Sequence, residues 1–400
     1  MSDAANTYDA SHIHVLEGLE AIRKRPGMYV GSTSERGLHQ MVFDVASRAV
    51  NEVLAGRASA VDVTLTPDGG VRVADDGPGI PVEAAGDTGG PGLETLLTSM
   101  HPGVEPGGRH ALATSLFGVG PCVTNALSSR MTAEVRRKGV HWVQDYARGV
   151  ALTPPTVAGP TTRTGTTVAF WPDTDIFGTA ECSFAVLSDR FRELAFLNRG
   201  LDIALTDERP PGGARSVRHS LPGGARDFVT FLDGQSGAPV HPEVIGFERE
   251  DPRMAGTVEV ALRWYVSHEE RLQGYANSEP TPYGGTHMEG FRDGVAAAVN
   301  AHARERRLLA EAGPDLSIDE ICEGLTAVVS VKVDRPVFCG STHGVLDGGP
   351  PVRAAVAEAV REHLCAWLER HREHAAAIVG RIIQGARRDG AAAHHPAAGS

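Results

Sequence analysis

Two short segments, residues 61–66 and 71–74, alternate hydrophobic and polar side chains with a period of two. A Gly-Gly pair separates them, so the pattern predicts two half-buried strands joined as a hairpin. Asp75 follows the second strand directly, and Gly77 and Gly79 come next. A carboxylate at a strand end can accept a hydrogen bond from an exocyclic amine, and glycines let a ligand approach the backbone closely. The same residues also fit an ordinary acidic turn.

Two amphipathic helices are predicted before the hairpin. Residues 14–25 form the first, which a Pro-Gly pair ends, and residues 38–54 form the second. Hydrophobic residues cover one face of the second helix. The polar side chains on its other face are Asp44, Arg48, Asn51 and Glu52. Such a stripe is usually solvated, and it becomes a candidate site only if it faces the loop after Asp75.

The rest of the chain predicts an α/β fold of the α+β sandwich type in two domains. Further helices are expected at 121–128, 188–197, 291–304 and 352–370 (continuing towards 387), and strands at 132–136, 140–146, 165–171, 258–265 and 326–333. The Gly- and Pro-rich segment 210–224 marks a boundary between residues 1–220 and 221–388, and residues 389–400 form a low-complexity tail. The strand–helix–strand order of the second domain predicts a right-handed βαβ crossover.

Composition argues against several classes of function and location. The 400 residues carry a formal net charge of -12, which argues against bulk electrostatic binding of nucleic acid. There is no apolar run long enough to span a bilayer, and the polar N-terminus is unlike a secretion signal. The five cysteines are scattered without a CxxC spacing, which predicts reduced thiols and neither a zinc site nor a disulfide framework. We therefore expect a cytoplasmic protein with no membrane contact.

A glycine loop, Gly118-Val119-Gly120, precedes the helix predicted from Pro121. Free backbone N–H groups and the helix dipole at such a junction favour phosphate. A lone GxG is a weak signal by itself. The chain has no GxxxxGK[ST] motif, which excludes a P-loop.

Several longer motifs carry a more specific signal. They are VLEGLEAIRKRPGMYVG (15–31), DDGPGIP (75–81), TGTTVAFWP (164–172), FLN (196–198), GGTHMEGFR (284–292) and EGLTAVVSVK (323–332). Together they resemble the ATPase half of type IIA topoisomerase B subunits, most closely the DNA gyrase B family, within the gyrase/MutL/histidine-kinase ATPase superfamily. The resemblance runs from about residue 8 to 388 in the family's order, and RKRPGMY is highly specific.

The resemblance implies a site for ATP or ADP in residues 1–220 and a transducer domain in residues 221–388. Asp75 would accept the adenine amine. Gly79, Ile80, Pro81 and Thr166 would line the base pocket, and Asn51 and Gly77 are also implied at the ATP site. The glycine loop from Gly118 would form the triphosphate lid.

Two further positions follow from the same resemblance. Tyr8 lies where the family's N-terminal arm reaches into the nucleotide site of a partner protomer, which implies a homodimer formed by arm exchange. Arg137 lies where the family has an arginine that contacts aminocoumarin inhibitors. Gyrase subunits are the implied partners, and DNA is implied only indirectly.

The departures from the family fall at the phosphate end. Asp44 replaces the glutamate that acts as general base. Arg48 replaces the asparagine that holds Mg²⁺, and an arginine has no lone pair to offer a cation. The resemblance therefore does not support a Mg²⁺ site, although Arg48 could itself bind phosphate as a fixed cation. We also expect Arg48 to favour the ionised form of Asp44 and to lower its basicity.

Further substitutions also depart from the family's pattern. Pro78 replaces an arginine that pairs with the helix glutamate, which predicts that Glu52 loses that partner. The lid has His110 and Ala111 in place of Tyr and Lys, and the segment 114–117 replaces Gly-Gly-Leu-His. His343 replaces the transducer lysine that touches the γ-phosphate. The adenine end is kept, whereas the phosphate end is changed.

Two functional hypotheses remain. The first is a gyrase-B-type ATPase module that works with separate partner chains, with impaired hydrolysis. The second is a pseudo-ATPase that modulates gyrase or binds aminocoumarin-type inhibitors. The toprim region of the family would begin just after residue 390, so we expect that this chain alone does not cleave DNA.

Overall fold

The structure, a computed structural model, describes residues 18–83, 92–100, 112, 120–235, 237–310, 313–339 and 344–393. Its helices are α1 (Leu19–Lys24), α2 (Gly27–Val30), α3 (Glu35–Leu54), α4 (Leu93–Thr98), α5 (Pro121–Ala126), α6 (Thr174–Phe177), α7 (Phe184–Leu197), α8 (Ala225–Leu232), α9 (Thr286–Glu305), α10 (Ile318–Cys322), α11 (Gly349–Arg370) and α12 (Arg372–Ala393). Its strands are β1 (Val61–Leu65), β2 (Val71–Asp75), β3 (Ser128–Arg137), β4 (Val140–Ala147), β5 (Val150–Ala151), β6 (Thr156–Pro160), β7 (Gly165–Pro172), β8 (Asp202–Asp207), β9 (Arg215–Ser220), β10 (Ile245–Asp251), β11 (Gly256–Trp264), β12 (Arg271–Ala276), β13 (Glu279–Pro280), β14 (Leu325–Val333), β15 (Phe338–Cys339) and β16 (Val345–Leu346).

The first sheet follows the order β5-β4-β3-β7-β2-β1-β8-β9, and β6 pairs with β4. The predicted hairpin is confirmed, because β1 and β2 pair antiparallel with Val61 opposite Asp75. On the other side of β2, Thr166 in β7 lies opposite Asp75. The end of β2 is therefore flanked by two strands, which fixes the backbone that carries the carboxylate.

Helix α3 lies against this sheet. Val42, Val45 and Val50 on its hydrophobic face are buried in the same core as Val61 and Val63 of β1. Because α3 and β1 bury their apolar faces against each other, the helical repeat of one and the alternation of the other serve the same core. The helix begins at residue 35, three residues before the predicted start.

The helix predicted at 14–25 is shorter in the structure. It runs from Leu19 to Lys24, and residues 14–17 lie outside the described part of the chain. Arg23 in its last turn donates to Asp173 at 2.7 Å and to the carbonyl of Ala126 at 2.8 Å. These contacts attach the RKRPGMY segment to helix α5 and to the end of β7.

The second sheet follows the order β10-β11-β14-β12-β13. It contains the expected βαβ crossover, but between different strands. The strands predicted at 258–265 and 326–333 are antiparallel neighbours, whereas β12 pairs in parallel with β14 and α9 connects them. The sequence of β12, Arg-Leu-Gln-Gly-Tyr-Ala, lacks a clear alternation, so the strand was not predicted.

The C-terminal helix was predicted as one continuous element. The structure divides it into α11 and α12 at His371, where φ is -113° and ψ is 60°. Its ring stacks on Trp367 with centroids 4.5 Å apart. The break lets α12 turn back onto α10 and α11, where Ile378 and Val379 are fully buried.

The predicted domain boundary falls between β9, in the first sheet, and α8, which packs against β11 and β14 of the second. Aromatic side chains fill the junction: Phe196 of α7 stacks on Phe228 of α8 with ring centroids 4.7 Å apart. None of the five cysteines forms a disulfide with another described residue. Among the described residues, no helix combines the length and apolar character needed to cross a bilayer.

Candidate functional site

The candidate site is centred on Asp75, the last residue of β2. Its side chain is only 2% exposed. The backbone N–H of Gly77 donates to its Oδ1 at 3.0 Å. The carboxylate is therefore held at the strand end by a short local turn, with its orientation fixed by the backbone.

The wall of the site comes from the glycine-rich loop after Asp75. The N–H of Ile80 donates to Oγ1 of the buried Thr166 at 3.1 Å. Gly79 adopts a φ of 77°, and a Cβ there would lie 2.8 Å from the carbonyl oxygen of Arg136. Pro81 ends the loop by accepting from the N–H of Leu93 at 2.8 Å. Glycine is required at position 79 both by its left-handed φ and by this close approach.

The backbone of Gly165 also lies close to that of Asp75. Gly165 begins β7 with a φ of 132°, and a Cβ there would lie 2.1 Å from the carbonyl oxygen of Asp75. A side chain would therefore separate β7 from the end of β2 and displace Thr166, which follows in sequence. The glycine of the TGTTVAFWP motif thus has a steric role in assembling the site.

The polar stripe of α3 faces this loop, as a candidate site requires. Nη1 of Arg48 lies 2.9 Å from Oδ2 of Asp75, and its side chain is 17% exposed. The guanidinium thus contacts the carboxylate expected to recognise the base. Its other acidic neighbour is Glu52, with a nitrogen–oxygen distance of 3.9 Å.

Glu52 is not left without a partner. The sequence predicted that Glu52 lacks its family partner, because Pro78 replaces that arginine. In the structure, Arg57 binds Glu52 through two hydrogen bonds of 2.7 Å and 3.2 Å. Arg57 follows the end of α3, where the chain turns back on the helix, so a helical repeat could not have identified the pair.

Asn51 binds the segment that leads towards the glycine loop. Its Oδ1 accepts from the N–H of Leu112 at 2.7 Å, and its Nδ2 donates to the carbonyl of Leu112 at 3.3 Å. Leu112 is itself buried. In this structure the amide of Asn51 therefore holds backbone near the site, and both of its polar ends are used.

Asp44 lies one helical turn before Arg48 and is only 1% exposed. Gln40 donates from Nε2 to its Oδ1 at 2.8 Å, and Oδ2 is buried with no hydrogen-bond partner among the described residues. Burial raises the pKa of Asp44 to about 8, with a smaller opposing effect from Gln40 and a further increase from the charge of Glu279. The expectation that Arg48 lowers its basicity is wrong, because the guanidinium is directed to Asp75 and burial dominates.

Arg137 lies on the other side of the loop. Its Nη1 donates to the carbonyl of Gly79 at 2.8 Å and to that of Pro78 at 3.3 Å. It therefore holds the loop that carries the residues expected at the base site. An inhibitor that contacts Arg137 would meet a guanidinium already bonded to this backbone.

The last residue of the predicted glycine loop lies within the described part of the chain. Gly120 precedes α5 with a φ of 62°, and Pro121 occupies the first turn of that helix, as predicted. Gly118, Val119, Tyr8 and His343 lie outside the described residues.

The described residues do not fit a protein-held Mg²⁺ ion. At the relevant turn of α3, Arg48 presents a guanidinium and Asp44 a carboxyl that burial favours in its neutral form. Neither is the hard anionic oxygen ligand that Mg²⁺ prefers.

A family model, curated relatives and solved structures of DNA gyrase B match this chain. The family model for DNA gyrase B matches residues 224–397. The B subunit of DNA gyrase from Streptomyces coelicolor is 46% identical over 400 residues, covering 96% of this chain and 58% of that protein. A novobiocin-sensitive DNA gyrase B from Streptomyces niveus is 44% identical over 405 residues, covering 96% and 59%. The 43K ATPase domain of Thermus thermophilus gyrase B, solved with an aminocoumarin, has a TM-score of 0.78 and 32% identity, covering 95% of this chain and 97% of that one.

The two sheets and the carboxylate loop thus define an ATPase-domain fold of the gyrase/MutL/histidine-kinase type, which confirms the predicted fold class. The chain belongs to the DNA gyrase B family. It spans 58% of the length of the Streptomyces coelicolor relative.

The contacts of Gln40 and Arg57 were not predicted from the sequence. Gln40 precedes Asp44 by one helical turn, so the i, i+4 spacing was a signal that could have identified it. Arg57 gave no comparable signal.

Proposed function

We propose that this chain is a gyrase-B-type module that binds ATP and ADP and has impaired hydrolysis. The observation that carries the proposal is the contrast between the two ends of the site. Asp75 and Thr166 are assembled at the base end, whereas Asp44 is buried with a pKa raised to about 8.

The base end supports nucleotide binding. Asp75 offers a carboxylate at the strand end, and the turn at Gly79 brings the backbone close to it. An exocyclic amine can donate to such a carboxylate, and the neighbouring glycines leave room for a planar base. The relative from Thermus thermophilus was solved with an aminocoumarin as a gyrase B ATPase domain, which agrees with a ligand site in this fold.

The catalytic end supports slow hydrolysis. A general base must be ionised to accept a proton from water, and Asp44 is mainly protonated at neutral pH when its pKa is about 8. An aspartate is also one methylene shorter than a glutamate, and a misplacement of ~1 Å can cost roughly 100-fold in rate. Without a protein-held metal, the site also loses charge stabilisation that phosphoryl transfer depends on.

We further propose that any homodimer forms by exchange of the arm containing Tyr8 and that nucleotide drives it weakly. The changed phosphate end provides fewer contacts through which a bound nucleotide could stabilise the dimer. Gyrase subunits are the proposed partners, with DNA engaged only through them. Light scattering with and without ATP tests this, and tight ATP-dependent dimers would contradict it.

The main test combines binding and turnover. Calorimetry should show micromolar to millimolar affinity for ATP and ADP, and Asp75→Ala should abolish it. Turnover should stay low when a gyrase A partner is added. The absence of any response to millimolar nucleotide would overturn the binding proposal, and turnover typical of an intact gyrase B ATPase would overturn the hydrolysis proposal.

A second candidate function is inhibitor binding without catalysis. It is favoured by Arg137, which lies on the loop beside the base site. An aminocoumarin should then bind the wild-type chain, and Arg137→Ala should weaken that binding more than it weakens ADP binding. Equal losses for both ligands would instead indicate that Arg137 only holds the loop.

A further inference from the structure

Both oxygens of the Asp75 carboxylate are already engaged in the protein. Oδ1 accepts from the N–H of Gly77 at 3.0 Å, and Oδ2 accepts from Arg48 at 2.9 Å. The Asp75 side chain is 2% exposed. An incoming base therefore meets a carboxylate that a guanidinium neutralises.

Arg48 has no better partner among the described residues. Glu52, its second acidic neighbour, lies at 3.9 Å and is bound through two hydrogen bonds by Arg57. A partly buried charge that loses its counter-ion is strongly destabilising, so Arg48 remains on Asp75 until another anion reaches it. Guanidinium groups bind phosphate as well as carboxylate, often through two hydrogen bonds.

We propose that Arg48 is an exchangeable latch on the base site. It pairs with Asp75 when no nucleotide is bound, and it transfers to the phosphates of an incoming nucleotide, which frees Asp75 for the exocyclic amine. This inference rests on the proposed nucleotide binding and adds a ligand requirement to it.

The latch makes the phosphate group a condition for base recognition. A nucleotide supplies a donor for Asp75 and an anion for Arg48, so both charges remain paired after the exchange. A nucleoside supplies only the donor and leaves the guanidinium without a counter-ion. The site should therefore discriminate strongly against nucleosides even without a metal ion.

The position of Arg48 on α3 fits this exchange. It lies one helical turn after Asp44, the candidate general base, and its side chain crosses from the helix to the end of β2. The side chain has several rotatable bonds, so the guanidinium can be redirected while the helix stays in place. A rigid pair that only orients Asp75 would give no such discrimination.

The test measures adenosine, ADP and ATP by calorimetry in EDTA, using the wild-type chain, Arg48→Met and the control Arg36→Met. Arg36 is exposed on the same helix. The wild type should bind ADP at least about tenfold more tightly than adenosine. In Arg48→Met, adenosine should bind about tenfold more tightly and ATP more weakly than in the wild type. Arg36→Met should bind all three ligands as the wild type does.

Several outcomes would overturn the latch. Wild-type chain that binds adenosine as tightly as ADP excludes it without any variant. If Arg48→Met weakens adenosine and ATP by the same factor, Arg48 only positions Asp75. If no ligand binds to the wild type or to Arg48→Met, the proposed nucleotide binding itself fails. Thermal melting of each variant shows whether it folds, and Arg48→Gln provides a second uncharged variant.

Discussion

Gln40 donates a hydrogen bond to one oxygen of the buried Asp44 carboxyl, and the other oxygen has no partner in the described part of the chain. A carboxylate at this position would be only partly compensated for its loss of water. The neutral acid is therefore favoured, and burial raises the pKa to about 8. This relationship has consequences for both catalysis and stability.

The first prediction concerns the pH dependence of residual ATP hydrolysis. If Asp44 is the general base, turnover requires its ionised form, so the rate should rise about tenfold per pH unit below the pKa and level off above it. A steady-state assay between about pH 6 and pH 9 measures this. Asp44→Asn should remove the pH-dependent part. A rate that is already constant from pH 6 upwards would show that another group limits turnover.

The second prediction concerns stability. The pKa of Asp44 is raised from 3.8 to about 8, so the folded state holds a proton that the unfolded state releases between these values. The protonated Asp44 carboxyl therefore contributes its full share to the free energy of unfolding below the unfolded-state pKa, and this share is lost as the pH rises through the folded-state pKa. Asn cannot ionise, so Asp44→Asn should not lose this stability with rising pH. Its melting temperature at pH 8 should be higher than that of the wild type.

The gain should be larger at pH 8 than at pH 5, and at roughly 2–4 °C per kcal/mol for a domain of 150–250 residues it is measurable by calorimetry. The matched control is Asp68→Asn, because Asp68 is an exposed carboxylate whose pKa is lowered, chiefly by a hydrogen bond from Thr66. That control should not gain stability with rising pH. A gain for Asp44→Asn that is equal at the two pH values would contradict the raised pKa.

The sequence was sufficient to predict the hairpin and the position of Asp75 at its end. The period-two pattern specifies both strands, because one face of each must be buried. The motifs then predicted the fold class. The strand β12 was not predicted, because its glycine and polar residues weaken the alternation. Its pairing with β14 nevertheless places Tyr275 and Ala276 in the core.

The contacts within the site were less predictable. The sequence places Arg48 one turn after Asp44, which led to the expectation that the two interact. Whether a long side chain binds along its own helix or across to a strand depends on tertiary distances. Here the end of β2 brings Asp75 within 2.9 Å, while the pair of Glu52 with Arg57 leaves Arg48 free to cross.

The third prediction concerns Mg²⁺. Wild-type affinity for ATP should change little between EDTA and millimolar Mg²⁺, because Arg48 offers a cation where a metal-binding side chain is needed. The double variant Asp44→Glu with Arg48→Asn supplies a longer carboxylate and an amide oxygen. It should bind ATP at least about tenfold more tightly with Mg²⁺ than without it.

Calorimetry with both buffers measures the difference, and Arg36→Asn on the exposed face of α3 is the control. Turnover in the double variant should recover only in part, because His343 lacks the fixed charge of a lysine near neutral pH. Wild-type chain that binds ATP only in Mg²⁺ would contradict the prediction.

The last prediction concerns the junction of the two sheets, where Lys332 of β14 donates from Nζ to Oδ1 of Asn198 at 2.9 Å. Asn198 follows α7 and is only 1% exposed, and burial lowers the pKa of Lys332. The pair is asymmetric. Asn198 has a second partner, because it also exchanges hydrogen bonds with Ser278 at 3.0 Å and 3.3 Å. Among the described residues, the acceptor for Nζ of Lys332 is Asn198.

Asn198→Ala should therefore be the more damaging change, because it leaves a partly buried ammonium group without its described acceptor, at a cost of about 1–3 kcal/mol. Lys332→Met removes the charge together with its need for a partner and should cost less. In the double variant the two losses should not add, with a coupling of at least about 0.5 kcal/mol. Urea denaturation of the four proteins measures this cycle. Strict additivity would show that the hydrogen bond does not contribute to the junction.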